Sequence, residues 1–105
     1  ALDPLPTAIF AGSDAVALGV MTQARRRGIA IPEDISLVGF DGMPINDLLG
    51  PPLTSIAQPI DDLGRRGAER LLAMINGEPF EATRTRLPVQ LVTRASVAAP
   101  RKEKF

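Results

Sequence analysis

Apolar residues fall in short clusters separated by glycine, proline and small polar residues, and each cluster carries the period of one element. Thr7-Ala8-Ile9-Phe10-Ala11 is a compact run after Pro4 and Pro6, and it predicts a first strand. Gly12 breaks the run. Ser13 then has the chemistry of a helix N-cap, and Asp14 puts a negative charge in the first turn, where the helix dipole favours one. From Asp14 to Arg27 the residues Ala17, Val20, Met21 and Ala24 recur at three- and four-residue spacing, with Leu18 beside them, which predicts a helix. Arg25, Arg26 and Arg27 crowd its last turn, and Gly28 suits the left-handed position that follows a helix. Three consecutive arginines also invite a phosphate-binding role. Their place at the negative end of the dipole favours the simpler one.

Ile29–Asp34 reads as a connector, with Pro32 preventing a helix. In Ile35–Asp47, Ile35, Leu37, Val38 and Phe40 form a short apolar run with Gly39 inside it, cut off by Asp41-Gly42 and then by Pro44, Asn46 and Asp47. Such a run between turn residues predicts a buried strand over Ser36–Phe40 in a parallel sheet. Strand, helix, strand is a βαβ unit, whose two strands are parallel and end on one edge of the sheet. Gly12-Ser13-Asp14 and Asp41-Gly42 would then share the crevice where ligands of open α/β sheets collect, with the free N–H groups of the helix aimed into it. Asp41 either serves a ligand there or only opens the turn with its side chain. The convergence of two strand ends and a helix end favours the ligand.

Gly50-Pro51-Pro52 marks a turn, and Leu53–Ala57 a short extended segment. Gln58 precedes Pro59, which is well placed to open a second helix running to Asn76-Gly77. There Ile60, Leu63, Gly64, Gly67, Ala68, Leu71 and Ile75 share one stripe, to be buried against a neighbour, while Asp61–Arg65 and Asp62–Arg66 have i,i+4 spacing. After the loop Glu78–Thr85, Leu87, Val89 and Leu91 alternate with Pro88 and Gln90. This predicts a half-buried strand over Arg86–Arg94, confined by Pro88 to an edge or a strand start. Ala98–Phe105 reads as a frayed tail.

Composition narrows the function. Among 105 residues, 45% are hydrophobic and 23% charged, as in a soluble globular domain, and 12 basic residues balance 12 acidic ones. A neutral surface is a poor partner for nucleic acid or an acidic membrane. There is no cysteine and no histidine, so thiolate chemistry, disulfides, the usual general base and the commonest metal ligand are absent. The expectation is a chain that is not an enzyme and uses no cofactor and no metal. The opening ALDPLPTAIF lacks the pattern of a secretory signal, and no apolar run has the length of a membrane span, so the expected location is cytoplasmic.

In combination, four stretches are specific: PTAIFA with Asp14 and ALG after it, RRRGIAIPEDISLVGFD, PPLTSIAQP, and LPVQLV with Arg94 and Ser96 after it. Over about Pro6–Pro100 they resemble the C-terminal part of the effector-binding domain of the LacI/GalR family of bacterial transcriptional regulators. The resemblance implies a type I periplasmic-binding-protein-like fold, in which two α/β lobes joined by crossing strands hold a small ligand between them. The chain would supply one incomplete parallel-sheet βαβ lobe. About 7–57 and 86–97 would lie in the C-terminal lobe, about 58–77 would be a helix packed on an N-terminal lobe absent from the chain, and 98–105 a tail.

By the same resemblance the ligand-binding residues are Asp41, Ser13 (where the family more often has Asn, with a longer reach) and Gln58 on a hinge strand. Asp14 and Gly42 would shape the cleft. Ile60 would stand where some members present an aromatic ring. A sugar or similar effector would close the lobes and alter operator binding by a helix-turn-helix headpiece that the chain lacks. The helix Asp14–Arg27 and the loop Met43–Pro52 would help form a homodimer. The alternative is the solute-binding protein of a sugar transporter, distinguished by a signal peptide upstream in place of a helix-turn-helix.

Overall fold

Leu37, near the start of the second strand, is fully buried, and the hydrophobic core is assembled around it from Ala11, Ala17, Met21 and Leu53. A computed structural model describes residues 5–79 and 84–102 of the chain. In order these form β1 (Ala8–Phe10), α1 (Asp14–Arg26), β2 (Ser36–Asp41), a 3-10 turn (Pro44–Leu48), β3 (Thr54–Ala57), α2 (Ile60–Ile75) and β4 (Gln90–Val92). The sheet order is β1-β2-β3-β4. β1 pairs in parallel with β2 in the register Ile9 to Leu37, and β2 in parallel with β3 in the register Asp41 to Ala57. β4 returns antiparallel to β3, with Leu91 opposite Ile56. The expected α/β class, parallel sheet and opening βαβ unit are all present.

α1 forms because its buried residues, Asp14, Ala17, Met21 and Ala24, lie on one face at helical spacing and because both ends are closed. Ser13 Oγ accepts from the Val16 N–H at 3.1 Å, the expected N-cap. At the other end Gly28 takes a φ of 69°, and the Ile29 and Gly28 N–H groups donate to the carbonyls of Ala24 and Arg25. This pair of bonds is the Schellman arrangement, which needs a left-handed residue and so favours glycine. α2 ends in the same way. Gly77 has φ 68°, and Glu78 and Gly77 donate to the carbonyls of Ala73 and Met74.

The C-terminal segment is not a frayed tail over its described part. Ser96 is fully buried between β2 and β3: its Oγ donates to the Leu37 carbonyl at 2.6 Å and accepts from the Thr54 N–H at 2.8 Å. Ser36 Oγ exchanges two hydrogen bonds with the backbone of Ala98, both at 3.0 Å. Arg101 donates to the carbonyls of Pro6 and Asp34, each at 2.8 Å, and to that of Leu5. Arg94, with only 13% of its side chain exposed, reaches Asp47 at 2.6 Å and the Leu53 carbonyl at 2.7 Å, tying the 3-10 turn to the start of β3. Residues 103–105 of the expected tail lie outside the described residues.

Three further expectations change. The strand expected over Arg86–Arg94 is ordered as β only from Gln90 to Val92, and Leu91 is 60% exposed. Pro88 has no N–H for a ladder, and the Arg94 N–H is taken by Thr54 Oγ1 at 2.8 Å. Of Val16, Val20, Leu48 and Leu49, the apolar residues that the two stretches expected in a homodimer would offer, Val20 and Leu49 pack against the molecule's own core, whereas Val16 and Leu48, the latter 84% exposed, stay at the surface with Ile45. On α2 the expected pair Asp62–Arg66 is present at 3.9 Å, but Arg65 pairs with Asp62 at 2.6 Å and Glu69 at 3.2 Å rather than with Asp61, since residues three and four apart are both neighbours on a helix.

The chain divides into two compact units, Ala1–Ala57 with Gln90–Phe105, and Gln58–Val89. The first holds the sheet and α1. The second holds α2, none of whose residues is buried, so the stripe expected to be covered is open, and a Cβ added at Gly64 or Gly67 would meet nothing within 4 Å.

Candidate functional site

β1 and β2 run parallel and end on the same edge of the sheet, where the N-terminus of α1 and the turn after Asp41 come together. The residue that joins them is Asp14, whose surface is 1% exposed. Its Oδ2 accepts from Gly42 N–H at 3.0 Å, Met43 N–H at 2.8 Å and Asn46 Nδ2 at 2.8 Å, while Oδ1 accepts from Ser55 Oγ at 2.7 Å. Burial pushes this carboxyl up. The bonds from Met43, Ser55, Asn46 and Gly42 together outweigh burial and hold it below the ordinary carboxylate range.

The sequence makes room for this carboxylate at two glycines. A Cβ on Gly39, inside β2, would stand 2.3 Å from Asp14 Oδ1 and 3.0 Å from Leu53 Cδ2. A Cβ on Gly42 would stand 2.5 Å from the Cα of Ala57, and Gly42 also has φ 79°. Both a left-handed backbone and a close approach of β3 therefore require glycine there. Asp41, just before it, has φ 131°, the one positive φ among the described non-glycine residues. A backbone of that kind persists only where its surroundings over-determine it.

Of the expected site residues, Ser13 and Asp41 are half-buried at the shared edge. Ser13 Oγ already accepts the Val16 N–H and keeps its own proton to donate. Gly42 is bonded directly to Asp14. Gln58, half-buried, and Ile60, 57% exposed, belong to the second unit. The first unit thus brings together Ser13, Asp14, Asp41 and Gly42. Chemically the edge offers a carboxylate and a hydroxyl, suited to accepting from and donating to a polyhydroxylated molecule. Among the described residues no cluster of His, Cys, Asp or Glu could hold a metal ion.

Sequence reasoning did not single out Asn46 and Ser55, which complete the shell of Asp14. The signal available for them was Gly39: a glycine inside an apolar strand marks a place where another group approaches closely.

Residues 1–97 match the family described as "Periplasmic binding protein-like domain". The chain belongs to that family. Within it, this periplasmic-binding-protein-like chain is similar to LacI-type regulators. It is 39% identical over 94 residues to the HTH-type transcriptional repressor CytR of Escherichia coli (strain K12), covering 90% of the chain and 28% of the repressor. It is 43% identical over 91 residues to the ribose operon repressor of Halalkalibacterium halodurans, covering 87% and 28%. A LacI family transcriptional regulator from Enterococcus faecium, solved with bound ribose, superposes with a TM-score of 0.81 at 40% identity, covering 91% of this chain and 35% of that one. The chain therefore spans a little over a quarter of the length of the curated relatives it matches. No helix among the described residues is long and apolar enough to cross a membrane.

Proposed function

We propose that the chain is the effector-sensing portion of a LacI-type transcriptional regulator, and that its ligand is a sugar or a similar small polyhydroxylated molecule. The observation that supports this reading is that Ser13 and Asp41 both lie at one sheet edge in a fold that, at 40% identity, holds ribose in the Enterococcus faecium regulator. Asp41 accepts from a ligand hydroxyl and Ser13 adds a donor. Asp14 and Gly42 shape the edge. Effector binding shifts the equilibrium between two arrangements of a larger sensor, and operator affinity in a separate headpiece follows by linkage.

The reading is a binding function, not an enzymatic one, in the bacterial cytoplasm. It includes a homodimer built on α1 and the segment Met43–Pro52, supported by the exposed side chains of Val16, Ile45 and Leu48. Calorimetric titration of D-ribose and related pentoses into the longer protein that contains this chain tests it. Saturable binding that an operator fragment weakens or strengthens is expected. Heat of dilution alone for every sugar, with operator binding indifferent to them, overturns it.

A further inference from the structure

We infer that Asn46 and Ser55 are positioning residues of the ligand edge: acting through the carboxylate of Asp14, they hold the Gly42–Met43 turn and with it the strained backbone of Asp41. The inference rests on the reading of Asp41 as a ligand residue.

Asp41 is pinned from both sides. Before it, β2 pairs with β3, with Asp41 opposite Ala57. After it, the N–H groups of Gly42 and Met43 are both taken by Asp14 Oδ2, at 3.0 and 2.8 Å. The φ of 131° at Asp41 is costly for a residue with a Cβ and is maintained by those pins. Asp14 can act as a pin only while its own two oxygens are fixed, and the groups that fix them from outside the turn are Asn46 Nδ2 at 2.8 Å and Ser55 Oγ at 2.7 Å. Ser55 does more, since its Oγ also accepts from the Gly42 N–H at 3.2 Å, linking β3, the turn and α1 in one network.

The amide of Asn46 is informative for what it leaves unmade. The residue is fully buried, yet its Oδ1 has no hydrogen-bond partner among the described residues. An apolar side chain of similar shape would fill the same space without stranding an oxygen. What the amide adds is the Nδ2–H donated to Asp14. A shell with four donors on one carboxylate is far stiffer than a capping side chain with one, and stiffness at Asp41 is what a preorganised binding residue requires.

The test uses the 105-residue chain, uniformly labelled for NMR, with Asn46→Ala, Ser55→Ala and the hydroxyl-retaining Ser55→Thr. In the two alanine variants the Gly42 and Met43 amides are expected to exchange about tenfold faster than in the unsubstituted chain, the effect of losing one such hydrogen bond. The Asp14 carboxyl should titrate higher, and the HN–Hα coupling of Asp41 should move away from its native value. Ser55→Thr should restore all three. The Ala11 amide, bonded to the Val38 carbonyl at 2.8 Å, is the reference for the sheet and should not change. Unchanged exchange at Gly42 and Met43 with an unchanged Asp41 coupling overturns the inference, and so does equal acceleration at Ala11, which is the mark of a purely structural role.

A second arm titrates D-ribose into the longer protein carrying the same substitutions. Weaker binding in the alanine variants supports positioning, and equal affinity despite a released turn overturns it. Failure of the unsubstituted protein to bind ribose counts against the choice of sugar alone, and the NMR result then decides the role of Asn46 and Ser55.

Discussion

Ser96 and Leu37, 59 positions apart, bond to each other twice: the Leu37 N–H donates to the Ser96 carbonyl at 2.8 Å, and Ser96 Oγ donates to the Leu37 carbonyl at 2.6 Å. The same Oγ accepts the Thr54 N–H. Ser96→Ala leaves a buried carbonyl and a buried N–H unpaired, which is expected to cost about 1–3 kcal/mol per stranded group. Urea unfolding measures it. A midpoint within error of the unsubstituted chain would show that water replaces the hydroxyl at no cost.

Asp14 makes stability depend on acid. Its folded-state pKa lies below the ordinary value of 3.8, so its contribution is fully present above that value and is lost as pH falls through the lower, folded one. Asp14→Asn should therefore lower stability at neutral pH and flatten its decline below about pH 4. Asp62 titrates in the same direction, held low chiefly by the hydrogen bond from Arg65, so Asp62→Asn is the control. An unfolding midpoint whose pH profile is identical with and without Asp14 would contradict the four-donor shell.

Asp41→Ala in the longer protein is expected to weaken effector binding by about 1–3 kcal/mol, the worth of a charge-assisted hydrogen bond. Asp41→Gly separates the backbone from the carboxylate. Glycine accepts a positive φ, so this variant should lose the same affinity while unfolding at higher denaturant than the alanine variant. Titration calorimetry and urea melts of the pair give both answers, and an affinity untouched by either change would reduce Asp41 to a turn residue.

Leu48, 84% exposed, is the clean probe of the proposed dimer, because Leu49 next to it packs against the core. Leu48→Arg should raise the dissociation constant of the longer protein's dimer and leave its melting temperature nearly unchanged. Sedimentation equilibrium that shows no shift places the interface elsewhere.

The isolated chain should self-associate through α2. Ile60, Leu63, Leu71 and Ile75 are all exposed on its stripe. Ile60 and Ile75 are equidistant from Gly67-Ala68, so two antiparallel copies would set Ile60 against Ile75 and place the small residues at the crossing. Leu63→Glu and Leu71→Glu should abolish concentration-dependent sedimentation. A wild-type chain that remains monomeric at high concentration would defeat this expectation.

Periodicity made most of the elements legible in the sequence. The caps of α1, the βαβ unit and the left-handed Gly28 are dictated by neighbours within a few residues, and local chemistry is what a sequence displays. What escaped was the chemistry across the sheet. Nothing near Asn46 or Ser55 in the sequence announces Asp14, 32 and 41 positions away. The spacing of Asp61 and Arg65 suggested a pair that the equally near Asp62 wins. The half-buried strand around Leu91 failed because alternation reports a capacity to be covered, not the presence of a cover. At the candidate edge, Ser13, Asp14 and Asp41 followed from topology and the resemblance gave Asp14 a structural place there, but a first-turn acid does not display the four donors its carboxylate collects across the sheet.

The bond between Ser96 and Leu37 also sets a clock for the newborn chain. At a synthesis rate of about 5–20 residues per second, roughly 3–12 s separate the appearance of residue 37 from that of residue 96. Throughout that interval the Leu37 carbonyl, and from residue 54 onward the Thr54 amide, have no side chain to close on, and this end of the seam between the parallel strands stays open. Parallel pairings joined by distant contacts are slow and prone to sticking. The N-terminal end of the seam between β2 and β3 is therefore among the last parts of the sheet to close, because its latch, Ser96, is made after both strands.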